Sequence, residues 1–381
     1  MPPTAQLPRP PDLDLDAILA DRAIRIVVCC GSGGVGKTTT AAALALRAAE
    51  EHGRRTVVLT IDPARRLAQA LGLTELDNTP RQVKGLQPDS AELQAMMLDM
   101  KRTFDEVVLA HTDPKKAEEI FANPFYQAMS STFSGTQEYM AMEKLGQLRA
   151  RDEWDLIVVD TPPSRSALDF LDAPARLSRF LDGRMLRLLL APARAGGRSV
   201  FNLVSASFGL FARTVTKILG AQLLSDLSGF VGALDSMFGG FRERAEQTYR
   251  VLQAPETAFL VVAAPEPDAV REAVYFAGRL AADRMPLAGL VLNRVASVGA
   301  AKLSAADARA AAERLEELGE HPATIDVLRV HAELADLRDR QSAVSGRFLR
   351  AHPGVPVVRI PAQPADVHDL DGLRAIGVTF G

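Results

Sequence analysis

The chain has 381 residues and a formal net charge of -3, with 47% hydrophobic and 24% charged residues. A chain of this length buries about three quarters of its unfolded surface, so it needs no disulfide or structural metal to fold. The small net charge excludes a general electrostatic attraction to nucleic acid or anionic lipid, and neither is predicted as a direct partner.

The first 22 residues are proline-rich and then acidic, and we interpret them as an N-terminal extension. They lack the basic-then-apolar order of a secretion signal, so the expected location is the cytoplasm. Residues 199–212 form the longest uncharged apolar-rich stretch near the middle of the chain, and at about 14 residues they are too short to span a bilayer. Any membrane contact is therefore expected to be indirect.

Short apolar runs rich in β-branched residues alternate with helical patterns along most of the chain. This alternation predicts an α/β fold with a doubly wound, mostly parallel sheet flanked by helices. Ligands bind at the carboxyl ends of the strands in such sheets, so polar residues that follow the strands are candidate site residues. The predicted strands are 25–30, 56–61, 93–98, 156–160, 258–263, 287–292 and 355–360.

The first predicted strand contains the adjacent residues Cys29 and Cys30, which are the only cysteines in the chain. Two neighbouring cysteines in an apolar run form neither a disulfide framework nor a zinc site, so we interpret them as buried strand residues. The six histidines are scattered without ligand spacing. No bound zinc is predicted.

A glycine-rich loop follows this strand and leads directly into a helical pattern. Glycines in such a loop let backbone N–H groups point at phosphates, Lys37 would neutralise charge on the β- and γ-phosphates, and Thr38 would ligate Mg²⁺. The alternative is an ordinary glycine turn, but strand, loop, Lys-Thr pair and helix occur in the order that a P-loop requires. The predicted nucleotide-binding residues here are Gly31, Ser32, Gly33, Gly34, Val35, Gly36, Lys37, Thr38 and Thr39.

Two carboxylates lie at or just after the ends of later strands. Asp62, before Pro63 and Ala64, is a candidate catalytic residue that would orient or deprotonate the attacking water, as phosphoryl transfer requires. An Asp-Pro pair after a strand is also common as a helix cap or turn, so both roles stay open. Asp160, before Thr161 and two prolines, would hold a Mg²⁺-bound water opposite Thr38.

The second half of the chain contains two helical regions. Residues 174–252 show no convincing strand and are predicted to form an apolar helical insertion between two parts of an ATPase domain, 23–173 and 253–381. The apolar side chains of the insertion fit either a closed core, which is the commoner case, or an exposed groove for a protein client. Residues 304–349 are predicted to form an outer helical hairpin.

Together these segments resemble the ArsA-type ATPases, the family of the arsenical-pump ATPase and the guided-entry ATPase of tail-anchored membrane proteins. The glycine loop, the Asp-Pro-Ala segment and the Asp-Thr-Pro-Pro segment resemble the nucleotide loop and the two switches of that family. Glu266 and Asn293 keep an order similar to the family's adenosine-side glutamate and asparagine. Pro361 lies in a segment that resembles its adenine-capping loop. The guanine signature Asn-Lys-x-Asp is absent, so ATP is favoured over GTP.

The resemblance implies a Mg²⁺-dependent ATPase, with ATP as substrate, that works as a dimer. Its helical insertions would move relative to each other as nucleotide binds and is split, and the insertion would be the client-binding region. The family's paired-cysteine zinc clamp and its cysteine trio for arsenite are both missing from this sequence. Zinc-joined dimerisation and arsenite pumping are therefore not predicted.

One position in the loop departs from the family. Its loop usually carries a second lysine that reaches the partner's phosphates across the dimer, and this chain has Ser32 there. Losing that charge would remove transition-state stabilisation unless another group replaced it. The protein could be a slow homodimer or a heterodimer with a related ATPase subunit that supplies the lysine. Arg65 or Arg165 could also take its place, or these arginines could simply be solvated.

Two other functions stay open. Ser32 fits a weakly hydrolytic or non-hydrolytic nucleotide-sensing subunit of a heterodimeric assembly. A surface organiser of the partition or division-site type would use the same loop, but that class often relies on basic patches or a terminal amphipathic helix. The C-terminal residues 376–381 offer neither feature.

Overall fold

The computed structural model describes residues 10–124, 126–127, 136–162, 243–319 and 321–381. The chain divides into two compact units. Within the described residues, the first unit comprises 10–97, 151–162 and 251–381 without residue 320, and the second comprises 98–150 and 243–250 with the same gaps. Residues 174–242, which are most of the predicted insertion (174–252), lie outside the described residues. Residues 98–150, assigned by sequence to the ATPase domain, belong to the second unit, and the predicted domain bounds stay a prediction.

The first unit is built on a single sheet of eight strands. Seven of the eight lie at predicted strand positions, and the short third strand was not predicted. The strands are β1 (Ile26–Cys30), β2 (Thr56–Thr60), β3 (Arg81–Gln82), β4 (Leu93–Met97), β5 (Leu156–Asp160), β6 (Thr257–Ala263), β7 (Leu287–Val295) and β8 (Val357–Pro361).

The order of the strands is β3-β4-β2-β5-β1-β6-β7-β8. Every neighbouring pair is parallel except β3 with β4, which is antiparallel. All residues of β1, β2, β5 and β6 are buried, as expected for central parallel strands covered by helices on both faces. The predicted doubly wound α/β fold is confirmed.

Helices of the first unit cover this sheet, and helices also make up most of the described second unit. Those of the first unit are α1 (Leu15–Ala20), α2 (Lys37–Glu50), α3 (Arg66–Ala70), α8 (Pro267–Ala282), α9 (Ala305–Leu318), α10 (Pro322–Ala351) and α11 (Leu370–Gly377). Those mainly in the second unit are α4 (Met100–His111), α5 (Pro114–Ala122), α6 (Thr136–Arg151) and α7, described over residues 243–253.

Helices α9 and α10 form the helical hairpin that the sequence predicts. Ser304 caps α9 by accepting a hydrogen bond from the Asp307 N–H, and Gly319 ends the helix in a left-handed conformation. Pro322 then stands in the first turn of α10, where its missing N–H costs nothing. Capping residues therefore account for both ends of α9, and a proline stands in the first turn of α10.

The N-terminal extension is part of the first unit from residue 10 onward. Leu15 and Leu19 on α1 are fully buried in the main core. Asp16 on the same helix makes two hydrogen bonds of 2.5 Å with the Arg47 guanidinium on α2. This pairing lowers the pKa of Asp16, although burial of the carboxyl opposes the effect.

Arg54 fixes the chain between α1 and β1 from inside the protein. The residue is completely buried, and its Nη1 donates to the carbonyl oxygens of Leu19 at 3.0 Å and Asp21 at 3.2 Å. Its Nη2 donates to the carbonyls of Asp155, at 2.6 Å, and Ile24. One guanidinium thus satisfies backbone acceptors from separate segments, while burial lowers its pKa to about 10.

The second unit contains charged pairs between its helices. Lys144 on α6 is buried and donates to Glu106 on α4 at 2.9 Å. The neighbouring Glu143, also buried, accepts two hydrogen bonds of 3.0 Å from Arg244 on α7. Buried charges are tolerated only when paired in this way, so these contacts tie three helices together.

Candidate functional site

Three strands end at the same level in the centre of the sheet. The register pairs Asp160, the last residue of β5, with Cys29 of β1 on one side and Thr60 of β2 on the other. In parallel strands, residues paired in this way present their side chains on the same face. The sheet therefore brings Thr60 and Asp160 together beneath the loop that follows β1.

Asp160 is fully buried and lies at the centre of a hydroxyl cluster. Its Oδ2 accepts hydrogen bonds from Thr38 Oγ1 at 2.8 Å and Thr60 Oγ1 at 2.9 Å. Its Oδ1 is buried and has no hydrogen-bond partner among the described residues. Burial raises the pKa of Asp160 to about 6, against the opposing effect of the two hydroxyl donors. One carboxylate oxygen is thus satisfied and the other is left for a ligand.

The loop between β1 and α2 needs glycine at two positions. Gly31 has a φ of +152°, and a Cβ there would lie 2.1 Å from the Val262 carbonyl oxygen. Gly36 has a φ of +93°, and its Cβ would lie 2.2 Å from Asn293 Nδ2. No side chain fits at either position without displacing its neighbours. The glycines therefore allow the close backbone approach that a phosphate-binding loop needs.

Helix α2 begins at Lys37 with no side chain capping its N-terminus. The first N–H groups of such a helix favour a bound anion. The Lys37 side chain is buried, and its Nζ donates to the Ser32 carbonyl oxygen at 2.8 Å. Burial lowers the pKa of Lys37, and the Asp160 carboxylate opposes this effect. The Ser32 hydroxyl is buried and has no hydrogen-bond partner among the described residues.

A cavity of about 780 Å³ opens above this cluster, within the size range of small-molecule sites. The loop, the start of α2, the segment after β2, helix α3, the end of β7 and residues after β8 form its walls. The lining residues are Gly34, Gly36, Lys37, Thr38, Thr39, Asp62, Arg66, Gln69, Ala70, Arg294, Asp366, Val367 and His368.

Asp62 takes part in a local turn and also lines this cavity. Its Oδ1 accepts the Ala64 N–H at 3.0 Å, and its own N–H donates to Thr60 Oγ1 at 3.2 Å. The turn role that the sequence left as an alternative is therefore present. It coexists with exposure of the carboxylate to the cavity, where a reacting water would need to be oriented.

The end of β7 is fastened to the loop. Asn293 Nδ2 donates to the Val35 carbonyl oxygen at 2.9 Å, and Arg294 Nη1 donates to the Gly34 carbonyl oxygen at 3.1 Å. Asn293 was a candidate from sequence, whereas Arg294 was not. Thr60, Arg66, Gln69 and His368 were missed as well. Thr60 carried a usable signal, because it precedes Asp62 at the end of a predicted strand.

Other sequence candidates do not line the cavity. Glu266 is exposed at the N-terminus of α8, and Pro361 ends β8. Arg65 is exposed and precedes α3, while Arg165 lies outside the described residues. Their predicted roles at the nucleotide stay predictions.

Comparison with known proteins gives a family match over most of the chain. The model of the family described as anion-transporting ATPase, ArsA_ATPase, matches residues 24–321. The chain belongs to the ArsA ATPase family. That stretch includes the glycine loop, Asp62, Asp160 and Asn293. It also covers α9, so membership rests on the strands from β1 to β7 and not on one motif.

Individual ArsA-family relatives are similar at modest identity. ATPase GET3 of Malassezia globosa is 28% identical over 167 residues, which are 44% of this chain and 47% of the relative. ATPase ASNA1 homolog 1 of Paramecium tetraurelia is 28% identical over 168 residues, or 44% of this chain and 49% of the relative. For both, the matched region spans about half the length of the relative.

A third ArsA-family relative is similar over almost its whole length. ATPase ARSA2 of Chlamydomonas reinhardtii is 25% identical over 373 residues, covering 96% of this chain and 95% of the relative.

None of the helices in the described part of the chain is both long and apolar enough to cross a bilayer.

Proposed function

We propose that this ArsA-family protein binds ATP with Mg²⁺ and hydrolyses it to ADP and phosphate. The observation that carries the proposal is the cluster of Thr38, Thr60 and Asp160 beneath the cavity lined by Lys37 and Asp62. An uncapped helix start, a lysine, hydroxyls and carboxylates in this arrangement suit a polyphosphate and a hard cation. Family membership supports the same reaction.

The residues present fit a magnesium ion. Thr38 Oγ1 and the partnerless Oδ1 of Asp160 are oxygen atoms of the kind that Mg²⁺ prefers. Thr38 would bind the ion directly and Asp160 would hold a water bound to it, so other coordination positions would stay open for phosphate oxygens. When bound, the ion would neutralise charge on the β- and γ-phosphates. Thr60 holds the Asp160 carboxylate in place through its hydroxyl.

Lys37 and Asp62 have separate proposed roles. Lys37 leaves the Ser32 carbonyl to contact the β- and γ-phosphates, where its charge stabilises the transferring group. Asp62 accepts a hydrogen bond from the attacking water and takes up its proton. The Ala64 N–H holds one Asp62 oxygen, so the turn fixes the direction of the other. Glu266, Asn293 and Pro361 are proposed to contact the adenosine.

The finer proposal is a dimer that couples ATP binding and hydrolysis to rearrangement around a protein or membrane-associated client. The partner is either a second copy of this chain or a related ATPase subunit. A related subunit would contribute the lysine that is missing at Ser32. The apolar residues of 199–241 are the proposed client region, and the cytoplasm is the proposed location. Hydrogen exchange over 199–241 should change when ATP is added, and exchange independent of nucleotide would contradict the client proposal.

The catalytic proposal is tested with Lys37→Ala and Asp62→Asn, measuring ATP binding and phosphate release. Lys37→Ala should lose both activities. Asp62→Asn should keep binding but lose turnover by about 100-fold or more, since a positioned base contributes at least this factor. Asp268→Asn is a matched control, because its exposed side chain forms only a surface pair with Arg271. If wild type binds ATP and Asp62→Asn releases phosphate at the wild-type rate, the proposed role of Asp62 is contradicted.

A weakly hydrolytic or non-hydrolytic nucleotide-sensing subunit is the second candidate function, and Ser32 is the observation that favours it. The Ser32→Lys variant restores the family's usual residue. If the missing lysine limits the reaction, phosphate release by the isolated protein should rise, whereas an unchanged rate would exclude that explanation. Complete absence of hydrolysis in wild type, alone and with a related subunit, would favour the sensing function.

A further inference from the structure

Arg294 has a strained backbone beside the loop. Its φ is +58°, in the left-handed region that non-glycine residues other than Asn and Asp seldom adopt. Such strained conformations persist only where the surroundings hold them in place. Because this one lies at the carboxyl end of β7, where the sheet forms its cavity, the strain draws attention to what the side chain does.

Three hydrogen bonds hold the end of β7 in this conformation. The Arg294 N–H donates to Asn293 Oδ1 at 3.0 Å, while Asn293 Nδ2 donates to the Val35 carbonyl at 2.9 Å. Arg294 Nη1 adds a bond of 3.1 Å to the Gly34 carbonyl oxygen. Both side chains at this strand end are therefore attached to the glycine loop, and the backbone strain places the guanidinium there.

The guanidinium has unused hydrogen-bonding capacity on the cavity side. Arg294 lines the cavity together with Lys37 and Thr38. Asp62 and Asp366 line the same cavity, but neither they nor any other described carboxylate forms an ion pair with Arg294. Several other arginines, such as Arg47, are paired with carboxylates. A guanidinium has five N–H donors in a planar fork suited to phosphate oxygens.

The Arg294 guanidinium also lies beside the loop that lacks the family's second lysine. Ser32 offers only a hydroxyl, and that hydroxyl is buried without a partner. Arg294 is bonded to Gly34, two residues further along the same loop. Charge close to the developing negative charge of a transferring phosphoryl group is the main means of accelerating this reaction.

We propose that Arg294 contacts the phosphate chain of ATP bound to its own subunit and supplies in cis a positive charge that Ser32 does not provide. This inference rests on the proposed function, since it assumes that the cavity binds ATP. The guanidinium keeps its bond to the Gly34 carbonyl and directs its remaining N–H groups at phosphate oxygens. Neither Arg65 nor a partner's lysine is needed for this contact.

The experiment measures binding of ATP, ADP, AMP and adenosine by calorimetry, and ATP turnover, for wild type, Arg294→Gln and Arg294→Lys. Arg271→Gln is the matched control, because that arginine is exposed on α8 away from the cavity lining. Arg294→Gln should weaken ATP and ADP binding by about 10- to 100-fold, the usual value of a charge-assisted hydrogen bond, and leave adenosine binding unchanged. Arg294→Lys should recover most of the phosphate-dependent affinity.

Other outcomes would overturn the inference. Equal weakening of all four ligands would show contact with the nucleoside or a purely structural role, and unchanged affinity and turnover would show no contact at all. Loss of affinity in Arg294→Lys equal to that in Arg294→Gln would exclude a role for the charge. If wild type binds no ATP, the proposed function itself fails, which is a different result from ATP binding that is insensitive to Arg294. Tryptophan emission and thermal unfolding of each variant show that it is folded.

Discussion

Replacing Arg54 by methionine removes a buried guanidinium while keeping most of its apolar stem. The carbonyls of Leu19, Ile24 and Asp155 then lose their side-chain donor, whereas the Asp21 carbonyl still accepts the Ile24 N–H. Each buried acceptor left without a partner costs about 1–3 kcal/mol. Part of this cost is offset, because burial disfavours the Arg54 charge, as its pKa lowered to about 10 shows. A net destabilisation of about 3 kcal/mol is expected.

The chain offers a built-in reporter for this measurement. Trp154 is its only tryptophan, is buried in the first unit and donates from Nε1 to Gln94 Oε1 at 3.2 Å. Urea unfolding followed by its emission therefore reports the unit that Arg54 stabilises. Arg55→Met is the matched control, since that neighbouring side chain is exposed and pairs with Asp155 at the surface. The Arg55 variant should shift the midpoint little.

Equal midpoints for the two variants would show that Arg54 does not stabilise the fold through the buried carbonyl acceptors, since Arg55 has the same charge but lies at the surface. A midpoint for Arg54→Met equal to that of wild type would have the same meaning. A changed slope of the unfolding transition would instead indicate that the denatured state or cooperativity had changed, and thermal unfolding would then give the comparison.

Four further variants test other parts of the fold. Gly31→Ala should abolish ATP binding and destabilise the first unit, whereas Gly34→Ala, which meets no atoms, should cost only about 1–2 kcal/mol for its φ of +77°. Asp16→Asn should lose about 1 kcal/mol at pH 7 by thermal unfolding. The pKa of Asp16 is lowered in the folded state, so its pair with Arg47 stabilises the fold fully at pH values above the ordinary pKa of 3.8. The stability difference between wild type and Asp16→Asn should disappear as the pH falls through the lowered pKa. Glu106→Gln leaves the buried Lys144 without this carboxylate and should lower protection from hydrogen exchange in α4 and α6.

Each of these expectations has an outcome that contradicts it. Equal stability of the two glycine variants would exclude steric contact with β6 as the reason for glycine at position 31. A deficit in Asp16→Asn that persists below the folded-state pKa would show that the lost stability does not come from the ionised carboxylate. Unchanged exchange in Glu106→Gln would mean that the second unit does not depend on this ion pair.

The sheet was largely predictable because its strands are buried runs with clear breaks. Parallel strands covered on both faces are apolar along their whole length, so β1, β2, β5 and β6 stand out from the amphipathic helices between them. Strand β3 was missed because its two residues, Arg81 and Gln82, carry no apolar signal. The part of the extension from residue 10 onward proved to belong to the core, through the apolar spacing of Leu15 and Leu19.

The site was only partly predictable. The loop and Asp160 follow from spacing, since a phosphate cradle needs glycines, a lysine and a hydroxyl in fixed order. The position of Thr60 at a predicted strand end was visible in the sequence, but its pairing with Asp160 follows only from the strand register, which a single sequence does not contain. Arg54 and Arg294 look like ordinary surface arginines in the sequence. The burial of one and the positive φ of the other arise from tertiary contacts between distant segments.

Strand β8 is the outermost strand on its side of the sheet, and a short stretch of the N-terminal segment pairs with its first residue, Val357. The Val357 N–H donates to the Pro11 carbonyl at 2.9 Å, and the Leu13 N–H donates to the Val357 carbonyl at 3.2 Å. At the other side the sheet ends in β3, with only two residues. The pairing at Val357 and the short β3 reduce the open backbone at the two edges, which limits the addition of a strand from another molecule. These edges therefore favour assembly through side-chain surfaces over extension of the sheet.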